Sequence, residues 1–174
     1  MSAGQKEQEM SLGQILTAEL QYEAVSTRKM LERIPSDKLS WKPHEKSMSV
    51  ERIAGHIVEM VGWTAVTLTE DGLDFSTMPY EPKSYTDSAD LVTDLDKNVA
   101  AAVETLNNCS NETMSENWTM RNGEEIYFTM PKAAVMRSFV MNHIIHHRGQ
   151  LSVYLRILDI PLPPIYGPSA DEKV

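Results

Sequence analysis

Three of the chain's five histidines stand within the stretch Asn142-His143-Ile144-Ile145-His146-His147-Arg148-Gly149-Gln150-Leu151, in the middle of a long segment with helical periodicity. On a helix, positions i and i+4 lie one turn apart on the same face, so His143 and His147 can aim their imidazoles at one point. This is how a single helix supplies two ligands to a divalent metal. A third candidate is His56, which shares the inward face of an earlier amphipathic segment with Ile53, Ile57, Met60, Thr64 and Thr67. Imidazole suits zinc, nickel, copper and iron, so the ligand set selects a class of metal. Three protein ligands leave at least one coordination position open, the mark of a catalytic site over a structural one. At that position a metal can acidify a bound water or hold a thiol as its thiolate. The spacing has an ordinary reading as well. His-x-x-x-His also arises on surface helices, this one lacks the glutamate of His-Glu-x-x-His, and a lone buried histidine is commonly a core residue bonded to a carbonyl.

Other side chains carry weaker signals. His146 lies about 60° round the helix from His143 and is expected beside the site or at an interface. His44 sits in a loop, where exposure is the default. Glu59, one turn beyond His56, is open to four roles: ligand, acceptor to a ligand, general base or solvated surface glutamate. Cys109 is the only cysteine, which excludes an intramolecular disulfide and a zinc site built on thiolates; it is a nucleophile or inert packing. Arg148 anchors a carboxylate or serves surface charge. Gly149, mid-helix at a cost of about 1 kcal/mol relative to alanine, suggests close approach of a backbone or ligand. The eleven methionines read as core filler.

Four long helical segments must position these groups. The first runs from about Gln8 to Ile34, with Leu12, Ile15, Leu16, Leu20, Tyr22, Leu31 and Ile34 at roughly helical spacing and Pro35 closing it. Its pattern weakens from Glu23 to Lys29, where a kink or a partner-facing surface is expected. After an ordered loop containing Trp41-Lys42-Pro43-His44, a second helix begins at the N-cap Ser49 and should end near Gly72. Leu73 to Tyr85 carries Pro79 and Pro82 and cannot be helical throughout. Thr86 offers the cap of a third helix with the buried stripe Leu91, Leu95, Ala102 and Leu106. Asn122-Gly123, between Trp118 and Phe128, predicts a short hairpin. Pro131 then launches the longest helix, with Val135, Phe139, Val140, His143, His147, Leu151, Tyr154 and Leu158 along one side, until Pro161 stops it. At that length it would span about 43 Å.

The expectation is therefore an all-α four-helix bundle with a short β-hairpin before the last helix, in one domain over residues 1–174. The loops near 35–48 and 72–85 are long for simple turns and permit crossover connections. The tail Pro161-Leu162-Pro163-Pro164-Ile165-Tyr166-Gly167-Pro168 is too rigid and apolar to hang free, and is expected to pack on the bundle or a partner. The net charge of −9, without any cluster of lysine or arginine, argues against nucleic acid as partner. No run approaches a membrane span and Met1 to Met10 has no apolar core of a secretory signal, so the expected location is the cytoplasm.

The combination of Trp41-Lys42-Pro43, Ile53-Ala54-Gly55-His56-Ile57 and His143-Ile144-Ile145-His146-His147-Arg148-Gly149-Gln150-Leu151-Ser152-Val153-Tyr154-Leu155-Arg156 resembles the DinB-like family. The tail from Pro161 to Glu172 resembles it too, so the likeness spans nearly the whole chain. It implies a four-helix bundle with crossover connections, frequently a homodimer, with a divalent metal on three histidines. By position these are His56, His143 and His147, with zinc or nickel as the expected metal. Relatives with assigned activity include bacillithiol S-transferases and mycothiol-dependent maleylpyruvate isomerase. The leading expectation is a metal-dependent enzyme joining a low-molecular-weight thiol to an electrophilic small molecule, with no protein nucleophile required. A metal-dependent hydrolase is a variant with the same ligands. The competing expectation is a non-catalytic, stress-induced protein that binds a metal or a small molecule.

Overall fold

The structure is a computed structural model that describes residues 10–78 and 80–173. Helix α1 covers Leu12–Glu32, and its start is fixed by a reciprocal cap: Ser11 Oγ accepts from the Gln14 amide while Gln14 Oε1 accepts from that of Ser11. The expected onset near Gln8 falls outside the described residues. Helix α2 covers Val50–Thr69 and is capped by Ser49, as its sequence requires. It ends before Gly72, which instead enters the short strand β1, Gly72–Asp74. Helix α3 covers Ser88–Asn107, and its cap is Asp87, one residue beyond the expected Thr86, because the Asp87 carboxylate reaches the Ala89 amide. Its buried residues are the expected Leu91, Leu95, Ala102 and Leu106.

After the single turn α4, Asn111–Ser115, come the strands β2, Asn117–Asn122, and β3, Glu125–Pro131. The predicted hairpin turns on Gly123, whose φ of 60° is the left-handed conformation glycine adopts without strain. The sheet has a third member. β1 pairs in parallel with β2, Leu73 opposite Met120, and β2 pairs antiparallel with β3, Trp118 opposite Met130. Leu73, Trp118, Met120 and Val135 form a small core of their own under this sheet.

The last long helix is a composite of α5, Lys132–Val135, a π-helical stretch, Met136–Met141, and α6, Asn142–Ile157. Met141, Ile144, Arg148, Leu151 and Leu155 are buried at three- and four-residue steps, so α6 presents one continuous inward stripe. His143 and His147 flank that stripe and lie at the edge of the core.

The helices form a ring in the order α1, α3, α2, α6: α3 packs on both α1 and α2, and α2 packs on α6. The consecutive helices α1 and α2 are thus diagonal partners, as crossover connections require. α1 and α3 come close at Gly13, where a Cβ would stand 2.2 Å from the Leu106 carbonyl oxygen.

The weak pattern in α1 has a physical cause. Glu23, Ser26 and Thr27 are buried, while Leu12, Ile15 and Tyr22 are exposed. Two of these inward polar residues, Glu23 and Thr27, are satisfied by Arg148 of α6, itself fully buried. Its guanidinium donates to Glu23 Oε2 at 2.6 Å, to the Glu23 carbonyl at 3.0 Å and to Thr27 Oγ1 at 3.2 Å. Tyr166 of the tail closes the network, donating to Glu23 and accepting from Arg148 at 2.9 Å. Asp171 and Glu172 pair with Arg156 and Arg33, so the tail packs on its own bundle as expected.

A buried charge without its partner is far costlier than the pair is favourable. Arg148→Met alone should therefore lower unfolding free energy by about 3–5 kcal/mol in urea titrations, and adding Glu23→Leu should recover most of that loss. Equal instability of the single and double variants would contradict this account of the α1–α6 contact.

Candidate metal centre

α2 carries His56 and α6 carries His143 and His147, and the packing of α2 on α6 brings the three together. One ring nitrogen from each lies within 4.8 Å of the others. The ring centroids form a nearly equilateral triangle, with sides of 5.0 Å (His56 to His143), 4.8 Å (His56 to His147) and 4.7 Å (His143 to His147).

The opposite sides of these rings are already engaged. His56 Nδ1 lies 3.2 Å from Glu59 Oε2, and His147 Nδ1 lies 2.7 Å from Gln150 Oε1. Both oxygens accept, which sets a proton on each Nδ1 and, in a neutral ring, leaves the lone pair on Nε2. His143 is hydrogen-bonded to the Phe139 backbone. Outer partners of this kind fix tautomer and orientation in metal-bound histidines.

The electrostatics favour neutral rings. Burial, with the neighbouring imidazoles adding to it, pushes His147 down to about 4. His143 is lowered by burial and then by His56. At neutral pH these rings hold lone pairs in place of second protons, which is what a cation requires of them. A metal about 2.0–2.1 Å from each nitrogen draws tetrahedral donors to roughly 3.4 Å apart, so the rings would close inward by side-chain rotation. The residues fit a divalent cation.

Glu59 stands behind His56, outside the triangle, and is mostly buried, so it is not a solvated surface carboxylate. Burial raises its carboxyl, but bonds from His56 and Tyr80 and the charge of Arg52 outweigh that and leave it below the usual carboxylate range. Arg52 Nη1 donates to Glu59 Oε2 at 3.2 Å, and Arg52 Nη2 donates to the Tyr80 hydroxyl at 2.5 Å. Arg52 and Tyr80 are functional candidates that sequence reading missed, as is Gln150. Gln150 follows His147 by the same three residues that separate Glu59 from His56, a repeated spacing that could have revealed it.

The remaining candidates lie elsewhere. His146 is exposed, its ring 4.9 Å from that of His147. His44 is exposed in its loop and accepts from the Lys46 amide. Burial raises the Cys109 thiol, disfavouring thiolate, and it sits at the α3–α4 junction. Arg148 anchors a carboxylate, turned towards α1. Gly149 is exposed and a Cβ there would meet nothing within 4 Å, so among the described residues no backbone of the chain makes the expected close approach.

Fold and site together define a helical bundle with a small appended sheet and a three-histidine group shared between facing helices. The chain belongs to the DinB family, whose model matches residues 5–173. It is 26% identical over 156 residues to the uncharacterized protein YrdA of Bacillus subtilis strain 168, covering 87% of this chain and 86% of that one. Among solved structures it is similar to a DinB-like protein (YjoA) of Bacillus subtilis, with a TM-score of 0.67 and 22% identity over 87% of this chain and 96% of the other. A DinB-like protein of Bacillus cereus gives a TM-score of 0.65 and 24% identity over 87% and 95%. These structures share the fold. Among the described residues no helix is long and apolar enough to cross a membrane.

The lowered position of His147 makes metal-free stability pH-dependent. Between its ordinary value of 6.5 and about 4, the unfolded chain takes up a proton that the folded chain refuses. This contribution is intact above pH 6.5 and is lost as pH falls towards 4. Thermal unfolding of metal-free protein across that window should show a steeper loss for wild type than for His147→Gln; parallel profiles would contradict the assignment.

Proposed function

We propose that the protein is a divalent-metal-dependent transferase that joins a low-molecular-weight thiol to an electrophilic substrate, with His56, His143 and His147 as the metal ligands. The observation that carries this reading is the triangle of three imidazoles, each hydrogen-bonded from behind and set at the edge of the core where a small molecule can reach it. Zinc or nickel suits such nitrogen donors, and a position left open by three ligands accommodates a sulfur. The bound metal supplies acidification of that thiol. Glu59 and Gln150 hold the His56 and His147 rings in the ligating tautomer, and Arg52 and Tyr80 hold Glu59. The reaction forms a sulfur–carbon bond as the bond from carbon to its leaving group breaks with its electron pair, while the thiol proton passes to solvent. Nothing in it requires a protein nucleophile, which agrees with the remote, poorly ionised Cys109. The thiol part of the reading, and bacillithiol as a donor to try first, are supported by family resemblance. A homodimer in the cytoplasm is part of the same proposal.

Protein loaded with zinc or nickel should conjugate a chromogenic aryl chloride to at least one member of a panel of cellular thiols. His147→Ala should abolish turnover, reducing it by roughly two orders of magnitude or more. A metal-loaded sample that conjugates none of the panel, with His147→Ala lowering only thermal stability, would favour the non-catalytic binding protein.

A further inference from the structure

A cavity of about 260 Å³ is lined by Trp63 and Val66 of α2, Leu73 of β1 and Phe75, Met78 and Tyr80 of the loop that follows. Two of its walls lead to the histidines. Trp63 packs on Phe139 with ring centroids 5.2 Å apart, and Phe139 meets His143 edge-on at 5.7 Å. On the other side the Tyr80 hydroxyl donates to Glu59 Oε2, the oxygen that accepts from His56. Trp63 follows His56 by two helical turns on the same face of α2, a rise of about 10 Å. The cavity and the imidazole triangle are therefore neighbours, with Phe139 standing between them on one side and Glu59 on the other.

The chemistry of the walls selects an occupant. They are aromatic and aliphatic, the Tyr80 hydroxyl is spent on Glu59 and Arg52, and among the described residues the one charged group lining the cavity is the Glu81 carboxylate. A polar thiol bearing sugar or peptide groups would find no partners there, and an anion would meet Glu81. An uncharged ring would stack against Trp63 and Phe75. The volume lies just below the roughly 300–1,000 Å³ of pockets for drug-sized ligands, so it admits one ring or a short alkyl chain.

We propose that this cavity receives the uncharged apolar group, a single aromatic ring or a short alkyl chain, of the electrophile whose reacting carbon lies at the histidine triangle. The assignment rests on reading that triangle as the metal-held reaction site.

Benzyl alcohol is a suitable probe, followed by saturation-transfer NMR on the full chain without metal and again after titration with Co²⁺. Binding to metal-free wild type should be saturable. It should weaken about tenfold or more in Val66→Trp, which fills the cavity, and in Phe75→Ala, which removes a wall, with circular dichroism confirming that each variant folds. In cobalt-loaded wild type the bound probe should show paramagnetic relaxation. Absence of saturable binding, or binding undiminished in both variants, would overturn the proposal. A bound probe that taken-up Co²⁺ does not relax would overturn the link between cavity and site while leaving the metal reading intact. Failure to take up Co²⁺ by protein that still binds the probe would overturn the metal reading, and the substrate assignment with it.

Discussion

The arrangement depends on the rotation of α6 about its own axis. Successive residues on a helix point about 100° apart, so a helix that turns Arg148 towards α1 turns His147 towards α2. Arg148 cannot turn elsewhere at small cost, because its fully buried guanidinium is held by Glu23, Thr27 and Tyr166. A paired charge in a desolvated interior is intolerant of displacement, since any slip leaves a carboxylate or guanidinium uncompensated. The ion pair need not add net stability to matter. It specifies which face of α6 meets which neighbour, and so where the two histidines of that helix stand relative to His56.

The site follows from being placed at the margin of the core. Deeper burial would close it to an incoming ion, and full exposure would let His143 and His147 titrate near their ordinary values and swing freely. At the margin, desolvation keeps His143 and His147 neutral while ring nitrogens remain within 4.8 Å of one another. Glu59 and Gln150 then complete the orientation from the outside. The π-helical stretch from Met136 to Met141 precedes His143 directly, as such stretches often do at functional sites, and it carries Phe139. That ring touches Trp63, Phe128 and His143, tying the sheet, α2 and the triangle into one packed unit.

Much of this was legible in the sequence where the signal is local. The three- and four-residue steps around His56 placed it inward, the same steps gave the α3 stripe, and Asn122-Gly123 gave the hairpin, because periodicity and turn chemistry act over a few residues. What escaped depends on contacts distant along the chain. β1 is three residues at the start of the segment that carries Pro79 and Pro82, and it exists through pairing with β2. The polar inward face of α1 reads as a defect until Arg148, some 125 residues away, is set against Glu23. Tyr80 reaches Glu59 from that same proline-bearing loop, with no periodicity to announce it. The close helix approach expected at Gly149 stands instead at Gly13, where the Leu106 carbonyl of α3 leaves no room for a Cβ.

The arrangement implies that His56, His143 and His147 act as one ligand set for a divalent transition metal. It is tested most directly by titrating tag-free, metal-free protein with Co²⁺ and following its ligand-field absorption, in wild type and in single replacements of each histidine by alanine. Wild type should saturate at one ion per chain with a spectrum of nitrogen ligation and an open position, and each of the three variants should lose that spectrum. No saturable uptake by wild type, or a spectrum unchanged when His56 is replaced, would contradict it.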